Sequence, residues 1–149
     1  MKLLVINGPN LNFLGIREPG LYGKVDYDQL CQIIMKRCAE LNIVCDIFQS
    51  NHEGAIIDKI QEAYHKGIAG IVMNPGAYGH YSYAIHDAIT SVSIPTVEVH
   101  ITDIKSRKEE WRHKTVIEDA CVKTIIGHGL DGYTEGIDFL IDYIKNGNK

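Results

Sequence analysis

The stretch NGPNLNFLGIREPGLYG, Asn7 to Gly23, holds three asparagines, one arginine, one glutamate and one tyrosine, directly after the apolar run Leu3-Leu4-Val5-Ile6. Amide, guanidinium and phenol groups at that density suit acid–base chemistry on a small polar, anionic molecule better than they suit a core. Arg17 stands five residues before Tyr22 in a stretch rich in glycine and proline, and a guanidinium against a phenol favours the phenolate, which is a base. Bringing a phenol from about 10 to about 7 takes roughly 4 kcal/mol of preference for the charged form. One nearby cation just suffices and a second makes it comfortable; Arg107 and Arg112 are the available donors. The structural alternative is an aromatic ring packed at a loop-to-helix junction.

A second constellation closes an apolar strand. His100 follows Glu98 by two residues, so in a strand both side chains point to one face. The carboxylate would orient the ring and keep a proton on it, making His100 a positioned acid; the alternative is an ion pair that only holds the strand. His65, His86 and His113 read as surface or packing residues. Neither H-E-x-x-H nor a zinc-type cysteine–histidine spacing occurs, so no metal is expected.

The elements that must carry these groups alternate along the chain. Near-continuous apolar runs at Leu3–Asn7, Ile43–Phe48, Ala69–Asn74, Thr96–His100 and Val122–Ile126 predict parallel strands covered on both faces. Between them lie helical stripes. Asp26 with Gln29 reads as a capping box for the first helix, marked by Leu30, Ile33, Ile34, Cys38 and Leu41. Ser50 with Glu53 repeats the start signal for the second, which Gly67 ends. Ala84, Ile85, Ala88, Ile89 and Val92 mark the third, and Tyr133, Ile137, Leu140, Ile141 and Ile144 the last. Asp103 to Ala120 reads as a loop with a short helix.

Five strands alternating with helices predict an α/β fold, a flavodoxin-like doubly wound parallel sheet of order 2-1-3-4-5 with helices on both faces. Ligands in such sheets bind beyond the carboxyl ends of the strands, at the switch point between strands 1 and 3. Asn10, Arg17, Tyr22, Asn74, His80, Glu98 and His100 should therefore converge on one cleft.

At 149 residues one domain spanning 1–149 is expected. Fifteen basic against 19 acidic side chains give a net charge of −4, which offers no field for nucleic acid. No apolar segment approaches a membrane span or a leader, so a cytoplasmic chain with no membrane partner is expected. Cys31, Cys38, Cys45 and Cys121 form no C-x-x-C pair and read as small buried hydrophobes.

Familiar motifs do not account for the loop. Gly127 to Gly132 matches G-x-G-x-x-G but follows the last strand, so it reads as a tight strand-to-helix turn. Gly8 and Gly15 lack the lysine and hydroxyl of a P-loop, and asparagines stand at Asn7 and Asn74 where a receiver domain needs aspartates.

The segments INGPNLNFLG, REPGLYG, FQSNHEG, NPGAYGHYSYAIHDA, PTVEVH and WRH together resemble the type II 3-dehydroquinate dehydratases, from strand 1 to the final GHGLDGY. The resemblance implies a flavodoxin-like enzyme, a hydro-lyase that interconverts 3-dehydroquinate and 3-dehydroshikimate in the shikimate route, without metal, cofactor or imine-forming lysine. By motif position it implies that Tyr22 is the base, Arg17 holds it as phenolate, and Asn10 binds the water that stabilises the enolate. His100 is then the acid, with Glu98 fixing its ring. Asn74 and the amides of Ile101 and Thr102 take the carboxylate, and His80, Asp87 and Arg112 take the ring hydroxyls, Asp87 coming from an adjacent subunit. Gly8–Lys24 is implied to be a mobile lid, and the assembly a homo-oligomer, a dodecamer of trimers.

The chain departs from the family pattern at Gly79 and Tyr81, where hydroxyl residues usually flank the histidine, and carries one extra residue near Arg107. A flavin-binding or non-catalytic module of the same fold is the alternative reading.

Overall fold

The computed structural model describes residues 1–147. Their apolar runs become five strands: β1 (Lys2–Asn7), β2 (Val44–Gln49), β3 (Gly70–Asn74), β4 (Thr96–His100) and β5 (Lys123–Ile126). All neighbours pair in parallel in the order β2-β1-β3-β4-β5. The helices are α1 (Pro19–Tyr22), α2 (Tyr27–Glu40), α3 (Glu53–His65), α4 (Tyr83–Val92) and α5 (Asp131–Lys145).

The period of two along each strand divides the core. Leu3, Val5, Val72, Val97 and Val99 face α2 and α5, packing on Leu30, Ile34, Tyr133, Ile137 and Leu140. Leu4, Ile6, Ile71 and Met73 face α3 and α4, packing on Ile56, Ile60, Ile85 and Ile89. With both faces covered, the inner strands β1, β3 and β4 need no polar alternation, which is why their sequence runs are nearly continuous, whereas the edge strands β2 and β5 are only partly buried.

Local signals hold in part. Asp26 and Gln29 form the expected capping box, Gln29 N donating to Asp26 Oδ1 at 2.8 Å and Asp26 N to Gln29 Oε1 at 3.0 Å. Ser50 does not cap α3: its hydroxyl accepts from His52 N at 3.0 Å, and the helix starts at Glu53 after an extended His52 with no side-chain cap. Glu53 is instead drawn away by Ser82, whose hydroxyl donates to Oε2 at 2.5 Å while accepting from Ile85 N to cap α4. Ala84 lies on the exposed side of α4, off the buried stripe of Ile85, Ala88, Ile89 and Val92. Asp103 to Ala120 forms three 3₁₀ turns, at Ile104–Ser106, Glu110–Arg112 and Glu118–Ala120, rather than one short helix. Gly127 turns the chain out of β5 at φ +79°, as a tight turn requires.

The strand ends that build the switch point touch directly. Gly8 N donates to Asn74 O at 2.8 Å, and a Cβ on Gly8 would lie 2.4 Å from Pro75 O and 2.6 Å from Pro75 C. Only a residue without a side chain lets the exits of β1 and β3 lie this close. Gly8→Ala is expected to reduce unfolding free energy by about 1–3 kcal/mol through overpacking, measured by urea denaturation; an unchanged midpoint would mean that Pro75 yields at no cost.

Candidate active site

Beyond the carboxyl ends of β1, β3 and β4 lies a small cleft, lined by Arg17, Tyr22, Asn74, His80, His100, Ile101, Thr102, Arg107 and Arg112. It sits at the predicted switch point.

Glu98, at 0 % exposure, is the charge buried deepest here. Its Oε1 lies 2.7 Å from His100 Nε2 and accepts from the Thr115 hydroxyl, while Oε2 accepts from the Thr124 hydroxyl at 3.2 Å. A carboxylate taken out of water needs such donors. With Nε2 engaged, Nδ1 is the His100 nitrogen left for a ligand. His80 stacks on His100, ring centroids 6.1 Å apart at 24°. Its Nδ1 lies 2.8 Å from Lys114 O; a carbonyl only accepts, so Nδ1 carries the hydrogen and Nε2 is an acceptor. Burial, aided by the charges of His100 and Arg112, holds His80 below the ordinary histidine value of 6.5, against the pull of the Lys114 carbonyl.

Tyr22 lines the same cleft. It ends α1, a single turn entered through Glu18 at φ +38° with Pro19 in the first helical position. Arg107 Nη1 donates to the Tyr22 hydroxyl at 3.1 Å. Arg17 lies over the ring, its Cζ 4.8 Å from the centroid. Arg17 Nε and Arg107 Nη2 are each 3.7 Å from Glu18 Oε2. Two cations thus flank one phenol, Arg107 at the oxygen and Arg17 on the π face.

Asn74, 4 % exposed, ends β3. Its Oδ1 accepts from Gly76 N at 3.1 Å and its Nδ2 donates to the Tyr133 hydroxyl at 2.9 Å. Beside it, Ile101 and Thr102 carry the backbone out of β4 along the cleft wall. A phenol base with cations, a carboxylate-bound imidazole and anion-ready amides facing one space can move a proton on one side of a small anionic molecule and protonate a leaving group on the other.

Known proteins bear on this arrangement. Residues 1–141 match the family model described as dehydroquinase class II. The chain belongs to that family. It is 53 % identical over 143 residues to the 3-dehydroquinate dehydratase of Lachnospira eligens, covering 95 % of this chain and 97 % of the relative. It is 58 % identical over 132 residues to that of Caldicellulosiruptor saccharolyticus, covering 89 % and 90 %. Among solved structures, the type II dehydroquinase of Butyrivibrio crossotus superposes with a TM-score of 0.93 at 58 % identity, covering 95 % of this chain and 97 % of that one. The type II dehydroquinase of Propionibacterium acnes gives 0.90 at 37 %, covering 95 % and 96 %.

For this dehydroquinase-family chain the cleft gathers Arg17, Tyr22, Asn74, His80, His100, Ile101, Thr102 and Arg112, with Glu98 directly behind His100. Two expected residues stand outside it. Asn10 is exposed in a left-handed conformation, its backbone N–H donating to Asn51 Oδ1 at 3.0 Å. Asp87 is 81 % exposed on α4, its Oδ1 3.2 Å from His86 Nδ1. Arg107, singled out in the sequence only as a spare cation, is the one that reaches the Tyr22 oxygen. Thr115, Thr124 and Tyr133 carry no sequence signal for their contacts, because each reaches its partner across the fold. At the departure Gly79, a Cβ would stand 2.6 Å from Pro75 Cγ and 3.4 Å from His100 Cε1, so the floor here is packed by the backbone itself. Among the described residues no cluster of three or more metal-ligating side chains occurs, and no helix is long and apolar enough to cross a membrane.

The depressed value of His80 links this site to stability. Below the ordinary 6.5 the unfolded chain takes the proton first, so the contribution of His80 is present above that pH and lost as pH falls through its folded value. His80→Asn, which keeps a donor for Lys114 O, is expected to lose less unfolding free energy than the parent between about pH 7.5 and about pH 5. Denaturant titrations at the two pH values check it, and equal losses would refute it.

Proposed function

We propose that the chain is a 3-dehydroquinate dehydratase, a hydro-lyase that eliminates water reversibly from 3-dehydroquinate to give 3-dehydroshikimate through an enolate, a step of the shikimate route. The observation that carries this reading is the meeting, in one cleft, of Tyr22 flanked by Arg17 and Arg107 and of His100 bound to Glu98.

Tyr22 as phenolate takes the proton alpha to the ketone, and the electron pair moves onto the carbonyl oxygen as an enolate. Arg107 at its oxygen and Arg17 over its ring set two positive charges against the Tyr22 side chain. Asn10, outside the cleft in this conformation, is brought by closure of its loop to hold the water that stabilises the enolate, where charge develops and placed donors matter most. Collapse of the enolate expels the tertiary hydroxyl, which leaves as water with a proton from His100; Glu98 keeps that ring oriented. Asn74 with the amides of Ile101 and Thr102 takes the carboxylate, and His80 and Arg112 take ring hydroxyls. No cofactor enters the scheme. Residues 1–149 act as one catalytic domain, in which Gly8–Lys24 is a lid that brings Tyr22 and Arg17 over the ring and excludes water.

Incubation with 3-dehydroquinate should produce conjugated-enone absorbance in the presence of chelator, unaffected by borohydride. Tyr22→Phe should lower kcat on the order of 10²–10⁴-fold while substrate still binds. Loss of activity on borohydride reduction with substrate would point to an imine and sink the enolate scheme.

The protein works as a homo-oligomer in the cytoplasm, trimers gathered into a dodecamer, with Asp87 completing a neighbour's pocket. Support comes from two observations: Asp87, paired among the described residues only with its neighbour His86, faces away from its own core, and Arg112 Nε, 3.2 Å from Glu109 Oε2, is buried without an aligned acceptor. Asp87→Ala should weaken substrate binding and reduce oligomer mass in sedimentation. A fully active 16.7 kDa monomer would refute the shared site.

A further inference from the structure

Asn7 and Asn74 end neighbouring strands in matching register and are 0 % and 4 % exposed. A buried amide must be satisfied or it costs stability, and what satisfies both is one hydroxyl. Tyr133, from the first turn of α5 and 0 % exposed, accepts from Asn74 Nδ2 at 2.9 Å and donates to Asn7 Oδ1 at 2.6 Å. Asn7 Nδ2 in turn donates to the Tyr27 hydroxyl at 3.4 Å.

The direction of this chain is forced. Gly76 N–H can only donate, so the amide oxygen of Asn74 faces it and Nδ2 lies on the Tyr133 side. Nδ2 can only donate, so the single proton of Tyr133 goes to Asn7. Burial pushes the Tyr133 phenol above its usual range, so that proton stays in place and the direction does not invert with pH. One Nδ2 proton of Asn74 is thereby spent inside the protein, and the other, on a planar amide held at both ends, has a fixed heading at the cleft wall.

We propose that Tyr133 is a positioning residue: its hydroxyl sets the pitch of the Asn74 amide so that the remaining N–H meets the substrate carboxylate. This rests on reading Asn74 as a carboxylate donor. The contact is present before and after the chemistry, so it acts on binding rather than on the barrier.

The test compares Tyr133→Phe, Asn74→Ala and the double variant in steady-state assays with 3-dehydroquinate and with its carboxamide. KM and the acid-over-amide preference report only folded molecules, so loss of stability does not imitate the effect. Tyr133→Phe is expected to raise KM for the acid roughly tenfold, to change kcat less than about threefold, and to erode the acid preference, as loss of an aligned hydrogen bond to a charge would. In the Asn74→Ala background it should add nothing. A tenfold rise that persists in that background, or a loss confined to kcat, overturns the positioning role. If Asn74→Ala raises KM and Tyr133→Phe does not, the positioning role falls and the carboxylate reading stands; if Asn74→Ala keeps the acid preference, both fall. Should Tyr133→Phe not accumulate as folded protein, Asn7→Ser removes the acceptor that orients the hydroxyl, and a smaller KM rise is expected; no rise overturns the proposal.

Discussion

A carboxylate sits in the middle of the sheet with no water on it, and much of the molecule is arranged to make that tolerable. Glu98 at 0 % exposure requires His100 from its own strand, Thr124 from β5 and Thr115 from the irregular segment between them. Losing any donor leaves charge uncompensated, which is costly in a low-dielectric interior. Those contacts fix β5 beside β4 and pin the segment of 3₁₀ turns over the strand ends. The same segment supplies Lys114 O to His80 and Arg107 to Tyr22. A local electrostatic need thus becomes the scaffold for both ends of the cleft.

The opposite flank is built on neutral groups. There Asn7, Asn74, Tyr133 and Tyr27 pass hydrogen bonds in one direction beneath the cleft floor. Burial holds Tyr133 well above the usual phenol range and raises Tyr27 to about 12, so neither ionises at working pH. Tyr22, in contrast, lies half-exposed between two guanidinium groups. The same side-chain type is thus set among neutral amides in one place and against two guanidinium groups in another.

What the sequence made legible follows from range. Strand limits emerged within one or two residues, and β4 from Thr96 to His100 without error, because burial on both faces leaves a continuous apolar run. The capping box at Asp26 is a three-residue pattern and was equally legible. Ser50 misled because its hydroxyl has a nearer donor in His52 N, a choice that only the turn geometry settles. In the site, Tyr22, His100 and Glu98 were readable from strand-end placement and short spacing. Arg107 against Tyr22 spans 85 residues and Tyr133 against Asn7 spans 126; no periodicity reports such pairings. Tyr133 in particular shows its ring to the apolar stripe of α5, and the stripe conceals the hydroxyl.

The loop between β1 and α2 is fastened at both ends, by Gly8 pressed on Pro75 and by the capping box at Asp26. Its closure entropy is therefore settled by the sheet and not by its own contacts. For a tethered loop, doubling the length costs only about 0.6 kcal/mol. Beyond Leu11 and Leu14, which are buried in the core, length is thus nearly free to drift as far as closure entropy is concerned. What holds it is reach: the single turn Pro19–Tyr22 must arrive where Arg107 waits. Core burial fixes the first half of this loop, and geometry at one oxygen atom sets how many residues the second half contains.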